Sequence, residues 1–230
     1  MSLLGEILRE PVSPGQERHN SPARVERALP SQPHAFSIRE EQIRSLVQQL
    51  FFPRDSAPVH RVGFTPVEAS PSAARLCLDV ARALVDERCY EVALIDACAG
   101  ESPLSSRLQI PAPTGAQAPW AIAPRLWLAP CESWCPQGSR PPATDANMER
   151  LRELTAEFDF SIVHCPPVSW LTAKVGHSCD GLVLVLTANR TRRMVAAQVK
   201  QRLNQSGIPL LGTVLAERSF PVPDGLYWSL

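Results

Sequence analysis

An excess of charge of either sign is missing from this chain: Lys plus Arg number 23, Asp plus Glu 23, and the net charge is zero. Composition therefore gives no reason to expect a nucleic-acid partner or a membrane surface held by bulk electrostatics. Long hydrophobic runs are missing too. The longest candidate, residues 182–186, is strand-sized and far short of a bilayer span. The start Met1-Ser2-Leu3-Leu4-Gly5-Glu6 turns polar before the apolar region of a leader could form. The 7 cysteines are odd in number and do not read as a paired disulfide framework. With no leader, they read as free thiols of a reduced, cytoplasmic protein. No internal repeat is seen.

What is present suits a globular core: 44% of residues are hydrophobic and 20% charged, enough to build one sizeable domain with tails. Residues 1–36 are rich in Pro, Ser, Arg and Glu and read as a disordered tail, because too little apolar surface is available to offset the entropy of ordering. Leu3, Leu4, Ile7 and Leu8 offer at most a short docking turn. Ile43, Leu46, Val47, Leu50 and Phe51 fall on one helical face, with Ser37 and Glu40 as a capping box and Pro53 as the stop. The core domain, 37–218, follows from there. Residues 60–64 read as a strand, 72–86 as a helix with Ala73, Leu76, Cys77, Val80 and Leu84 as its buried stripe, and 91–96 as a strand. The run Val92-Ala93-Leu94-Ile95 is continuously apolar, as expected of a central parallel strand covered on both faces. Residues 100–145 are Pro-rich and read as irregular, apart from a strand at Leu126-Trp127-Leu128. A helix over 147–157 capped by Asp145, strands at 160–163 and 182–186, a helix over 191–205 stopped by Gly207, and a strand at 210–215 complete the domain. Residues 219–230 form a tail. Strands alternating with helices of this length predict an α/β fold, a mostly parallel sheet with helices on both faces.

The first strand–loop–helix is where phosphate-binding proteins place Gly-x-x-x-x-Gly-Lys-Ser/Thr. Here the loop and helix start read Val67-Glu68-Ala69-Ser70-Pro71-Ser72-Ala73-Ala74, with no Gly and no Lys. A phosphate cradle aims successive backbone N–H groups at the ligand and needs Gly at positions of unusual φ. Pro66 and Pro71 instead delete two donors. A remnant anion site persists in Ser70, Ser72 and Arg75, at the positive end of the helix. Other candidate chemistry is sparse. Cys131-x-x-x-Cys135 with His164-Cys165 or His177-x-Cys179 has ligand types for a metal, but reads more simply as buried and loop thiols. Asp96 ends a strand, where ligands sit in open parallel sheets, and reads first as a structural hydrogen-bonding group. His164 and Cys165 are neighbours on a strand and point to opposite faces, so they do not pair. Arg190, Arg192 and Arg193 read equally as a solvated helix start or an anion patch, and Trp127, Trp134 and Trp170 as an interface or a satellite core.

Five segments in order carry a resemblance. They are Tyr90-Glu91-Val92-Ala93-Leu94-Ile95-Asp96-Ala97, Phe158 through Pro166-Pro167, Asp180-Gly181-Leu182-Val183-Leu184-Val185 with Thr191-Arg192-Arg193, the close Gly207 to Leu215, and the helix at 41–52. Together they resemble the MinD/ParA class of phosphate-loop ATPases, and within it the bacterial tyrosine kinases for capsule and exopolysaccharide. The resemblance implies a phosphate-loop three-layer sandwich. It also places Ala73 at the phosphate-loop Lys and Ala74 at the Mg²⁺-binding Ser/Thr. Asp96 falls at the first acidic position of the deviant Walker strand, Cys98 where a second Asp is common, and His164 at the metal-directing Asp. Glu41 and Arg44 match two positions of a subunit-contact pattern whose third position is Val47. The family's C-terminal Tyr cluster is reduced to Tyr227, beside Trp228.

The expectation is a non-catalytic scaffold or regulator of exopolysaccharide or capsule biosynthesis, without metal or cofactor beyond weak phosphate or ATP. It would dock on a protein partner, a membrane chain-length regulator that recruits it to the inner membrane or a homologous ATPase, as a homo- or heterodimer. Two rivals stand: a divergent ATPase or tyrosine kinase with a non-standard loop, using Arg75 or a neighbouring subunit, and a division- or partition-type regulator that has lost nucleotide switching.

Overall fold

A computed structural model describes residues 38–54, 57–98, 103–136 and 144–218. The expected tails at 1–36 and 219–230, the Ser37 cap and Tyr227 lie outside the described residues.

The expected parallel sheet is present. Strands β1 (Arg61–Pro66), β2 (Val92–Asp96), β3 (Trp120–Ala123), β4 (Leu126–Ala129), β5 (Phe160–His164), β6 (Gly181–Thr187) and β7 (Leu210–Ala216) form one sheet in the order β3-β4-β2-β5-β1-β6-β7. Every neighbouring pair is parallel except β3–β4. The central strands β1, β2, β5 and β6 are almost wholly buried, which is why their sequences read as apolar runs rather than alternations.

Alternation along each strand divides the core in two. Val62, Phe64, Val92, Leu94, Phe160, Ile162, Val183 and Val185 face α1 (Ile38–Phe51) and α2 (Pro71–Glu87). Ala93, Ile95, Val163, Leu182 and Leu184 face the opposite layer of α4 (Asp145–Ala156), α5 (Trp170–Gly176) and α6 (Arg193–Gln205). The stripe of α2 is buried throughout, and α1 lays Val47, Leu50 and Phe51 into the same cluster. Phe51, Phe52 and Tyr90 close on Phe160 at the N-terminal edge of the sheet, with ring centroids 4.9–5.7 Å apart. Gly63 is required by close approach: a Cβ there would lie 2.3 Å from Leu182 Cδ2. Gly207, at φ +70°, supplies the left-handed turn that stops α6.

Several boundaries differ from the sequence reading. The stretch 100–145, read as irregular, holds α3 (Leu104–Leu108) and the antiparallel edge strand β3 as well as β4. Helix α4 begins at Asp145 and is capped by the residue before it: Thr144 Oγ1 accepts from Asn147 N at 3.2 Å. Asp145 sits in the first turn instead, where its charge favours the helix dipole. Helix α5 follows Pro166-Pro167 and carries its own capping box between Ser169 and Thr172. Helix α2 starts one residue early at Pro71, a position that needs no N–H, and α6 starts two residues late.

Candidate functional site

The C-terminal edge of the sheet, where open α/β folds bind ligands, has two contrasting halves. In the first, β1 ends at Pro66 and α2 begins at Pro71, leaving only Val67 to Ser70 between them. That connection is too short to arch around a diphosphate as a Gly-rich loop does. Three backbone donors at its two ends are also committed. Val67 N donates to Val185 O at 3.1 Å, Ser72 N to Ser70 Oγ at 3.3 Å, and Ala73 N to Ser70 O at 3.4 Å. Ser70 is the N-cap of α2, and its hydroxyl also meets Ser72 Oγ at 2.6 Å. Ala73 and Ala74 are fully buried against the core rather than facing an opening. Arg75, on the exposed side of α2, pairs with Asp79 at 3.1 Å, and Asp79 also holds Arg39 at 2.6 Å. The residues of the remnant anion site are thus already engaged, Ser70 with Ser72 and Arg75 with Asp79.

The second half is polar and converges. Parallel register places Asp96 of β2 directly beside His164 of β5. Two residues on, Cys98 N donates to Asp96 Oδ1 at 3.0 Å, folding the chain so that Cys98 Sγ lies 3.3 Å from His164 Nδ1. The other carboxylate oxygen of Asp96 accepts from Leu104 N at 2.8 Å, at the first turn of α3. Trp134 is fully buried and donates its indole N–H to Asp96 O at 2.8 Å, fastening the turn Cys131–Ser133 beneath the site. Carboxylate, thiol and imidazole each present a donor atom within 4.8 Å of the others.

Electrostatics follow from burial. Asp96 is almost inaccessible, and loss of water raises its pKa; its two backbone donors and the Arg107 guanidinium act the other way, and Glu132 adds to the rise. His164 is pushed down to about 4 by burial first and by Arg107 second, so its ring is neutral at physiological pH. One ring nitrogen, Nε2, finds no hydrogen-bond partner although the residue is only 1% exposed. Burial raises the Cys131 thiol, with the Asp96 charge and the adjacent Cys135 adding to the effect.

Of the residues singled out from sequence, the fold brings Asp96, Cys98 and His164 together and keeps Ser70, Ser72 and Arg75 in their own local network. Ala73 and Ala74 serve the core. Glu41 and Arg44 lie exposed on α1. His164 and Cys165 do point apart: Cys165 Sγ lies beneath Gly63, on the other face. Cys131 is not among the residues that line the hollow of about 540 Å³ around His177, Lys174 and Glu149. Arg107 and Trp134 were not assigned to the site, because both lie in the stretch read as irregular. The indole of Trp127 bonds Glu91 at 2.9 Å, and Trp170 is exposed.

No protein-family model matches the chain. It is 30% identical over 100 residues to the tyrosine-protein kinase CpsD of Streptococcus agalactiae, a match spanning 40% of this chain and 40% of that relative's length. In structure it is similar to the kinase domain of the Escherichia coli tyrosine kinase ETK, with a TM-score of 0.61 and 18% identity over 80% of this chain and 79% of the other. A ParA family ATPase from Chlorobium tepidum gives a TM-score of 0.55 and 16% identity over 68% and 73% of the two chains. With its mostly parallel sheet and two helical layers, the chain shares the fold of the ETK kinase domain and of the ParA family ATPase.

Proposed function

We propose that this protein is a non-catalytic relative of the capsule and exopolysaccharide tyrosine kinases, acting as a scaffold or regulator in polysaccharide biosynthesis. The observation that carries the reading is the short, four-residue β1–α2 connection, capped by Ser70 and with buried Ala73 and Ala74 at its exit. Phosphoryl transfer rests on positioning and on cations near the β- and γ-phosphates. Here the N–H groups of Val67, Ser72 and Ala73 already have acceptors, and the Arg75 guanidinium in the first turns of α2 is held by Asp79. The opposite half offers imidazole and thiol, which are poor ligands for Mg²⁺. The likeness to CpsD supports the pathway over the partition-type alternative.

The rigid sheet would serve as a base, with α1 and its Glu41 and Arg44 turned outward toward a protein partner, such as a membrane chain-length regulator or a homologous ATPase. No helix among the described residues is long and apolar enough to cross a membrane, so attachment there would go through that partner.

Titration of the full chain with Mg-ATP by calorimetry, beside a phosphate-release assay, tests the proposal. The expected result is no saturable heat at micromolar nucleotide and no turnover above buffer. Saturable micromolar binding, or release of phosphate abolished by Asp96→Ala, would establish the rival reading of a divergent ATPase.

A further inference from the structure

We infer that Asp96, Cys98 and His164 hold one divalent cation of the zinc class, as a structural clasp between the ends of β2 and β5. The donor set is the first ground. Carboxylate, thiolate and neutral imidazole are the ligands of borderline and soft cations, whereas Mg²⁺ takes oxygen donors. Geometry is the second. With metal–sulfur near 2.3 Å and metal–nitrogen near 2.0–2.1 Å, tetrahedral ligands stand roughly 3.5 Å apart. Cys98 Sγ and His164 Nδ1 are 3.3 Å apart, and the third donor atom lies within 4.8 Å of both. A small inward movement of the carboxylate closes the set.

Charge is the third ground. One carboxylate and one thiolate neutralise a divalent ion inside a buried site, and the thiol proton leaves to solvent as the metal binds. The ligands are preorganised: register fixes Asp96 beside His164, the Cys98 amide bond to Asp96 fixes the turn, and the Trp134 indole fastens the floor.

The test uses the full chain, stripped with chelator under reducing conditions and then titrated with Co²⁺ and Zn²⁺. One equivalent of Co²⁺ should bind with visible tetrahedral bands and a near-ultraviolet sulfur-to-metal band, and Zn²⁺ should displace it and raise the melting temperature. Cys98→Ser should lose the sulfur band and the melting shift while keeping its fold by circular dichroism. Cys89→Ser, which removes an exposed thiol elsewhere, should retain both. His164→Gln tests the nitrogen ligand, and if that variant unfolds, Cys98→Ser alone decides. No cobalt uptake by the wild-type chain, or a sulfur band that survives in Cys98→Ser, would overturn the inference. Nucleotide plays no part in these readouts, so the result stands apart from that of the ATP titration.

Discussion

The segment that follows β1 and the segments that follow β2 and β5 lie on one edge of one sheet, yet their polar groups have opposite fates. After β1, several polar groups are turned onto the protein: Ser70 caps α2, Val67 N–H joins β6, and Arg75 joins Asp79. After β2 and β5, three donor side chains of different chemistry face one another, and one imidazole nitrogen is left over. The first place is closed by a short connection and buried alanines, while the second sets sulfur and nitrogen beside its carboxylate. A site can disappear by being filled or by changing which ligand it suits, and the unsatisfied polar groups distinguish the two outcomes.

The sharpest way to break this comparison is to place a cation in the closed half. Ala73→Lys puts a charge where the resemblance to phosphate-loop proteins expects one, but Ala73 is fully buried in the helix–sheet core. An uncompensated buried charge costs about 3–5 kcal/mol. Urea unfolding should show a loss of that size, with no gain in Mg-ATP binding. A stable variant that binds nucleotide would mean the loop still opens. The next largest effect belongs to the other half. Asp96→Ala removes the acceptor for Cys98 N and Leu104 N, and each buried donor left unpaired costs about 1–3 kcal/mol. The fold should lose about 3 kcal/mol without metal present, and Asp96→Asn, which keeps one oxygen, should lose less. Equal stability of all three proteins would remove Asp96 from the architecture of the site. Gly63→Ala comes third. Its new Cβ meets Leu182 Cδ2 at 2.3 Å and Cys165 Sγ at 3.1 Å, so overpacking should cost about 1–3 kcal/mol. Because Gly63 lies under the β1 side, metal uptake by the other half should be unchanged.

The layer order was legible because it rests on local signals. Val92-Ala93-Leu94-Ile95 and residues 182–186 are runs too apolar for an exposed strand, and the α2 stripe repeats with a helical period. What escaped was short or non-local. Helix α3 is 5 residues and α5 is 7, below the length at which periodicity becomes visible. The edge strand β3 alternates half-buried and exposed residues within a Pro-rich stretch, so nothing marks it off from a loop. Asp96, Cys98 and His164 could each be named, but their convergence could not be read. It depends on β5 lying beside β2 in one register, and a slip of one residue would turn His164 to the far face.

The smallest expected effect concerns Arg75, and it bears on whether the filled half retains any affinity for anions. Arg75 is 55% exposed and bonded to Asp79, which Arg39 also holds. Surface ion pairs contribute about 0–1 kcal/mol, and here Arg39 remains to pair with Asp79 when Arg75 is removed. Arg75→Ala should therefore change the unfolding midpoint very little. Phosphate titration followed by chemical shift should be equally weak in both proteins, because the α2 amides at Ser72 and Ala73 already have acceptors in Ser70. If the wild-type chain instead bound phosphate saturably and Arg75→Ala abolished it, the ion pair with Asp79 would be a resting state that an anion displaces. The β1 half would then be a dormant site rather than a filled one.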